Sequence, residues 1–205
     1  MRLILHEFAA SGNCYKIRLL LAHLGRHYDR REYNILNGET RTPEFLATIN
    51  SSGRIPVLQD GARFLPESNA ALWYLAEGTQ FLPHDAFDRA DTLRWLFWEQ
   101  YNHEPNIATL RYWATYGGGW DVQPEAKRVQ IPAKQAAGEE ALGIMDAHLH
   151  GRAWMAGAAF GIADIALYAY THVAADGGFD LGHYGHVRAW LERVASMPGH
   201  VPIEA

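Results

Sequence analysis

The hydrophobic repeat changes several times over the first 76 residues and then becomes helical for the rest of the chain. That switch limits the possible folds more than any other feature. Leu3 to Phe8 reads as a short strand. Cys14, Ile17, Leu20, Leu21 and Leu24 then form one helical stripe, closed by Gly25. Tyr28 to Ile35 is strand-like, and Pro43 to Ile49 is a short helix behind Thr42 as N-cap. Ile55 to Gln59 and Ala62 to Leu65 flank Asp60-Gly61, a strong hairpin turn, and Ser68 is expected to cap a helix through Leu75. The order βαβαββα predicts a mixed sheet with helices on its faces.

Residues 77–86, with Gly78 and Pro83, read as a linker, and residues 87–205 as an all-α unit. Phe87 to Tyr116 predicts one long helix, broken by Gly117-Gly118-Gly119. Pro124 to about His150 predicts a second, with kinks expected at Pro132 and Gly138. Ile162 to Ala175 is apolar nearly all round, as a core helix would be. Gly161 stands at its N-cap with Asp164 at N3, and Phe160 and Ile165 occupy the staple positions. Val187 to Ser196 predicts a last amphipathic helix.

Composition narrows the chemistry. Of 205 residues, 48% are hydrophobic and 20% charged, enough to bury a core. Eighteen Lys and Arg against 23 Asp and Glu give a net charge of −5, so no basic nucleic-acid or membrane footprint is expected. The single cysteine, Cys14, excludes an internal disulfide, a CxxC pair and a Cys-rich zinc site. A lone thiol fits a cytoplasmic setting, and the start at Met1-Arg2-Leu3 does not read as a secretion signal. The histidines His148, His150, His183 and His186 lack the further ligands of a metal motif, so no metal is expected.

Three features of the α/β unit carry candidate chemistry. Ser11-Gly12-Asn13-Cys14 opens the first helix, where side-chain donors and free N–H groups can hold an anion; Ser11 or Asn13 could equally be a simple cap. Pro56, after Arg54-Ile55, stands at a strand entry. A cis bond there would turn the Ile55 backbone toward an extended peptide, while a trans bond would only begin an edge strand. Glu67-Ser68 precedes an apolar helical run. Ser68 with helix N–H groups suits a carboxylate and Glu67 an ammonium, together an α-amino-acid site; the alternative is a plain cap beside a solvated Glu67.

These motifs, in this order and spacing, together with Phe160-Gly161-Ile162-Ala163-Asp164, resemble the glutathione transferases over essentially the whole chain. The resemblance implies a thioredoxin-like N-terminal domain and a helical domain that forms the electrophile pocket. It implies a cis Pro56, an Ile55 backbone paired with the cysteinyl part of glutathione, and Glu67 and Ser68 on the γ-glutamyl ammonium and carboxylate. Arg54 falls near the glycyl carboxylate. Ser11 occupies the position of the activating Ser or Cys of theta-, zeta- and beta-like members, and Asn13 that of an Asn kept by nu-like bacterial members. Cys14 ranks third, as a packed thiol.

The expected function is conjugation of the glutathione thiolate, glutathione being co-substrate, to a small hydrophobic electrophile in a cytoplasmic, detoxifying homodimer. The alternatives are a glutathione-dependent disulfide reductase or peroxidase, and a non-catalytic glutathione- or ligand-binding module. A free thiol of pKa about 8.5 is roughly 3% thiolate at pH 7, so lowering it by about two units gains at most ~30-fold, or ~2 kcal/mol. Larger acceleration must come from holding the electrophile. Tyr112 and Trp113 are the expected pocket residues, and Glu99, Gln100 and Glu104 are candidates to reach a neighbouring subunit.

Overall fold

The structure, a computed structural model, describes residues 3–205; Met1 and Arg2, where the reading of the N-terminus begins, lie outside them. The chain divides into two compact units. One runs to Thr79 and takes in Pro198–Ala205; the other is Gln80–Met197. The last eight residues therefore belong to the first unit, whereas the sequence reading assigns them to the helical one. No helix among the described residues is long and apolar enough to cross a membrane.

The first unit holds β1 (Leu3–Glu7), α1 (Gly12–His23), β2 (Tyr28–Glu32), α2 (Pro43–Thr48), β3 (Val57–Asp60), β4 (Arg63–Pro66) and α3 (Ser68–Ala76). The strand order is β2-β1-β3-β4: β1 pairs parallel with β2 and antiparallel with β3, and β3 pairs antiparallel with β4. This is the mixed βαβαββα sheet expected, with the hairpin turning at Asp60-Gly61, where Gly61 has a φ of 62°. Leu3 and Leu5 of β1 and Val57 and Leu58 of β3 are buried.

The apolar stripe read on α1 understates its burial, because every residue from Cys14 to Leu21 is interior. Its polar members are satisfied by partners distant in sequence. Arg18 donates to Glu7 at 2.8 Å and to Ala9 O at 2.8 Å, and Arg30 also pairs with Glu7. The C-terminal segment supplies other acceptors: Tyr15 Oη donates to Val201 O at 2.6 Å, and Arg18 and Arg30 donate to Ile203 O and Ala205 O. Carbonyl groups of the tail thus neutralise the desolvation of α1 side chains that would otherwise be costly to bury.

The second unit comprises α4 (Ala86–Trp98), α5 (Glu104–Thr115), α6 (Glu125–Arg128), α7 (Ile131–Leu149), α8 (Ile162–Thr171) and α9 (Gly185–Ala195). The long helix expected from Phe87 is interrupted by a π-helical turn, Glu99–His103, just ahead of Pro105. The helix expected from Pro124 is two helices, since Pro132 takes the first turn of α7, where a missing N–H costs nothing. Gly138 marks a close approach: a Cβ there would lie 2.4 Å from the Phe179 ring. Ile107, Leu110, Trp113, Leu142, Tyr170 and Phe179 share one core cluster. All of α8 is buried, as its composition predicts.

Candidate functional site

Two helix N-termini of the first unit meet through side chains about fifty residues apart. Ser11 is the N-cap of α1, with extended backbone, and its Oγ accepts the Cys14 N–H at 3.4 Å. Its hydroxyl proton is not used by that bond, so Ser11 keeps a donor for a ligand. Asn13, the second residue of α1 and half-buried, accepts a hydrogen bond on Oδ1 from Ser68 Oγ at 3.1 Å. The acceptor end of the Asn13 amide is engaged, and the Nδ2 end carries the donors, the polarity that suits a thiolate.

Cys14 belongs to the core. It is fully buried and receives the Phe8 N–H on Sγ at 3.5 Å, and burial pushes its thiol up to about 12. A thiol so held stays neutral and out of reach of a substrate.

The second terminus begins at Glu67. The sequence places Ser68 as cap, but the structure puts Glu67 at that position and Ser68 at the first residue of α3. Glu67 has φ 71° and ψ 113° and is the only non-glycine with positive φ among the described residues. Such a conformation costs about 1–3 kcal/mol and collects at ligand sites. It leaves Glu67 exposed while Ser68 is buried. The Ile55–Pro56 bond is cis, as the resemblance implies. Ile55 is half-buried and Arg54 exposed, with Arg54 O accepting from Asn50 Nδ2 at 2.9 Å.

One residue at this junction, Lys16, escaped sequence reasoning. Lys16 Nζ donates to Ser68 Oγ at 3.4 Å and to Asn69 Oδ1 at 3.3 Å, and Lys16 is fully buried. The available signal was spacing: Lys16 lies three residues after Asn13, on the same side of the helix.

The expected residues of the helical unit separate. Trp113 lies in the core cluster, with Lys127 Nζ 5.6 Å from its ring, and this withdraws it from a pocket wall. Tyr112, on the preceding position of α5, is 38% exposed. Glu99, a candidate for contact with a second subunit, is instead fully buried in the π-helical turn and accepts from Gln100 Nε2 at 2.8 Å; the wider π turn rotates it inward. His150 Nδ1 and His186 Nε2 lie 3.2 Å apart on the surface. Among the described residues no group of three His, Cys, Asp or Glu is arranged to hold a metal.

Comparison with known proteins identifies the family. Residues 1–77 match the family model for the glutathione S-transferase N-terminal domain, and residues 101–198 match that for the C-terminal domain. The chain is 30% identical over 199 residues to the disulfide-bond oxidoreductase YfcG of Escherichia coli (strain K12), covering 93% of this chain and 89% of that protein. It is similar to a crystal structure of glutathione S-transferase from Pseudomonas fluorescens, with a TM-score of 0.93, 44% identity and all of both chains covered. A glutathione transferase from Pseudomonas putida, crystallised with one glutathione disulfide bound per subunit, superposes with a TM-score of 0.82 at 27% identity, over 97% of this chain and 88% of that one. With both domain models matched in order and relatives aligned over nearly their full length, the chain belongs to the glutathione S-transferase family.

Proposed function

We propose that this protein binds glutathione in its first unit and transfers the glutathione thiolate to a small hydrophobic electrophile. The observation that carries the reading is the Ser68–Asn13 hydrogen bond of 3.1 Å. It joins the start of α3, suited to a carboxylate, to the start of α1, suited to a thiolate. Ser68 and Glu67 are assigned the γ-glutamyl carboxylate and ammonium, the Ile55 backbone beside Pro56 the cysteinyl segment, and Arg54 the glycyl carboxylate. Ser11 is assigned the sulfur, with Asn13 as second donor. Tyr112 remains the aromatic assigned to the electrophile. The glutathione disulfide seen in the Pseudomonas putida protein supports the ligand class.

A second reading is reduction of a disulfide by glutathione. The name of the Escherichia coli relative and the donor end of Asn13 favour it. Because Cys14 is buried and neutral, the protein contributes no thiol to such a reaction. One glutathione thiolate would break the substrate disulfide, releasing a thiol and forming a mixed disulfide. A second glutathione would displace the remaining thiol and leave glutathione disulfide.

The test compares wild type, Ser11→Ala and Asn13→Ala with an aromatic chloride and with a dialkyl disulfide. Ser11→Ala is expected to lower conjugation by up to ~30-fold, the whole effect available from thiol ionisation. Glutathione binding should remain. Unchanged turnover in Ser11→Ala, with Asn13→Ala impaired, would transfer the sulfur to Asn13. Wild type that binds glutathione and turns over neither substrate would be a binding module.

A further inference from the structure

We infer that Arg18 is a positioning residue for Ser11: it holds the turn that carries the hydroxyl, and the segment Pro198–Ala205 in turn holds Arg18. This rests on the assignment of Ser11 to the glutathione sulfur above.

Ser11 ends a turn whose middle residues have almost no side chain. Its N–H donates to Phe8 O at 2.9 Å, so Ala9 and Ala10 form the middle of the turn, and neither has an atom beyond Cβ to fix it. The cap bond from the Cys14 N–H to Ser11 Oγ, at 3.4 Å, is longer than the roughly 2.7–3.2 Å of a well-made bond and orients the hydroxyl weakly. Two side chains anchor the peptide groups of Ala9. Glu32 accepts its N–H at 3.3 Å, and Arg18 Nη2 donates to its carbonyl at 2.8 Å. The shorter bond comes from the buried side chain, whereas Glu32 is exposed.

Helix geometry explains why residue 18 reaches the turn. Arg18 follows Ser11 by seven residues, almost two full turns, so both lie on one face of α1, and side chains lean toward a helix N-terminus. The guanidinium thus extends back under Ala9. Its fork is shared among three partners of the first unit: Nη1 donates to Glu7 at 2.8 Å, and Nη2 donates to Ala9 O and to Ile203 O. The buried Glu7 carboxylate pairs with Arg18 and with Arg30, so charge is answered on the Glu7 side. The Nη2 edge is left to tie the turn to the C-terminal segment. A lysine ammonium would keep the ion pair but lacks the planar fork that spans Ala9 O and Ile203 O together.

The test is a double-mutant cycle of Arg18→Lys and Ser11→Ala, read at pH 7 with glutathione and an aromatic chloride. Arg18→Lys should lower kcat about fivefold, with KM for glutathione within about twofold of wild type, because the residues assigned to the two ends of the peptide are untouched. The thiolate absorbance of bound glutathione should titrate at higher pH. In the Ser11→Ala background the same lysine substitution should change kcat less than about twofold, since no hydroxyl is left to place. A full fivefold loss in that background would reduce Arg18 to a structural support and overturn the proposal. So would an unchanged kcat in Arg18→Lys. Should Arg18→Lys not fold, removal of residues 203–205 deletes Ile203 O and keeps the Tyr15–Val201 bond. That truncation must give the same Ser11-dependent loss, and unchanged kcat there overturns the proposal too. If Ser11→Ala itself turns over like wild type, the assignment of the sulfur to Ser11 fails, and this inference with it.

Discussion

At the residue scale, chemical type matters less than what surrounds it. Cys14 sits three residues from Ser11 at the mouth of α1, yet its Sγ is enclosed and takes the Phe8 N–H. Native protein at pH 8 is therefore expected to resist iodoacetamide, and denatured protein to take up one equivalent. Cys14→Ala should leave turnover within about twofold of wild type. Rapid labelling of the native chain would overturn this reading of the burial. Glu67 illustrates a different limit. Its left-handed backbone is invisible in Pro66-Glu67-Ser68, because nothing in glutamate favours positive φ. The surroundings impose it.

At the element scale, the start of α8 concentrates its risk in one side chain. Asp164 accepts N–H groups from Met155 at 2.9 Å, Gly161 at 3.1 Å and Trp190 Nε1 at 2.8 Å. Gly161 provides no side chain for the reciprocal half of a capping box, so Asp164 alone ties the cap to the preceding loop and to α9. Burial pushes its carboxyl up to about 7, although these three donors pull the other way. The native value lies above the unfolded one. The native state thus holds a proton that the unfolded chain has already released between about pH 4 and 7. Stability from this group is fully present below the unfolded value and is lost as pH rises through about 7. Asp164→Asn removes the titration and turns an NH2 group toward the Gly161 N–H, so it should be less stable throughout. The stability margin of wild type over Asp164→Asn, measured by urea unfolding, should shrink from pH 5 to pH 8. A margin that widens over that range would contradict the raised carboxyl.

At the scale of the whole molecule, one side of α4 and the turn after it is left uncovered. Phe87 is 79%, Phe97 68% and Tyr101 83% exposed, with Leu93 between them. Large exposed aromatics on one helical face suit association, so this face is where the expected homodimer is to be tested. Light scattering should give twice the chain mass for wild type. Phe97→Glu should shift the protein toward monomer at unchanged far-ultraviolet dichroism. A monomeric wild type would remove the homodimer, and a Phe97→Glu variant that stays dimeric would move the interface to another face.

The changes of hydrophobic period along residues 1–76, the Asp60-Gly61 turn and the apolar run of α8 determine the element order by themselves, because period, turn and length are local properties. Family motifs placed Ser11, Asn13, Ile55, Pro56, Glu67 and Ser68 in one unit for the same reason, each being a short string beside a predicted helix or strand. Tertiary structure decided everything that depends on distant partners. It pointed Lys16 inward to Ser68 and Asn69, enclosed Cys14, turned Glu99 and Trp113 into the core, and returned Pro198–Ala205 to α1. Burial and hydrogen bonding are properties of the neighbours a residue acquires on folding. A buried lysine and a solvated one are written with the same letter until α1 and α3 come together.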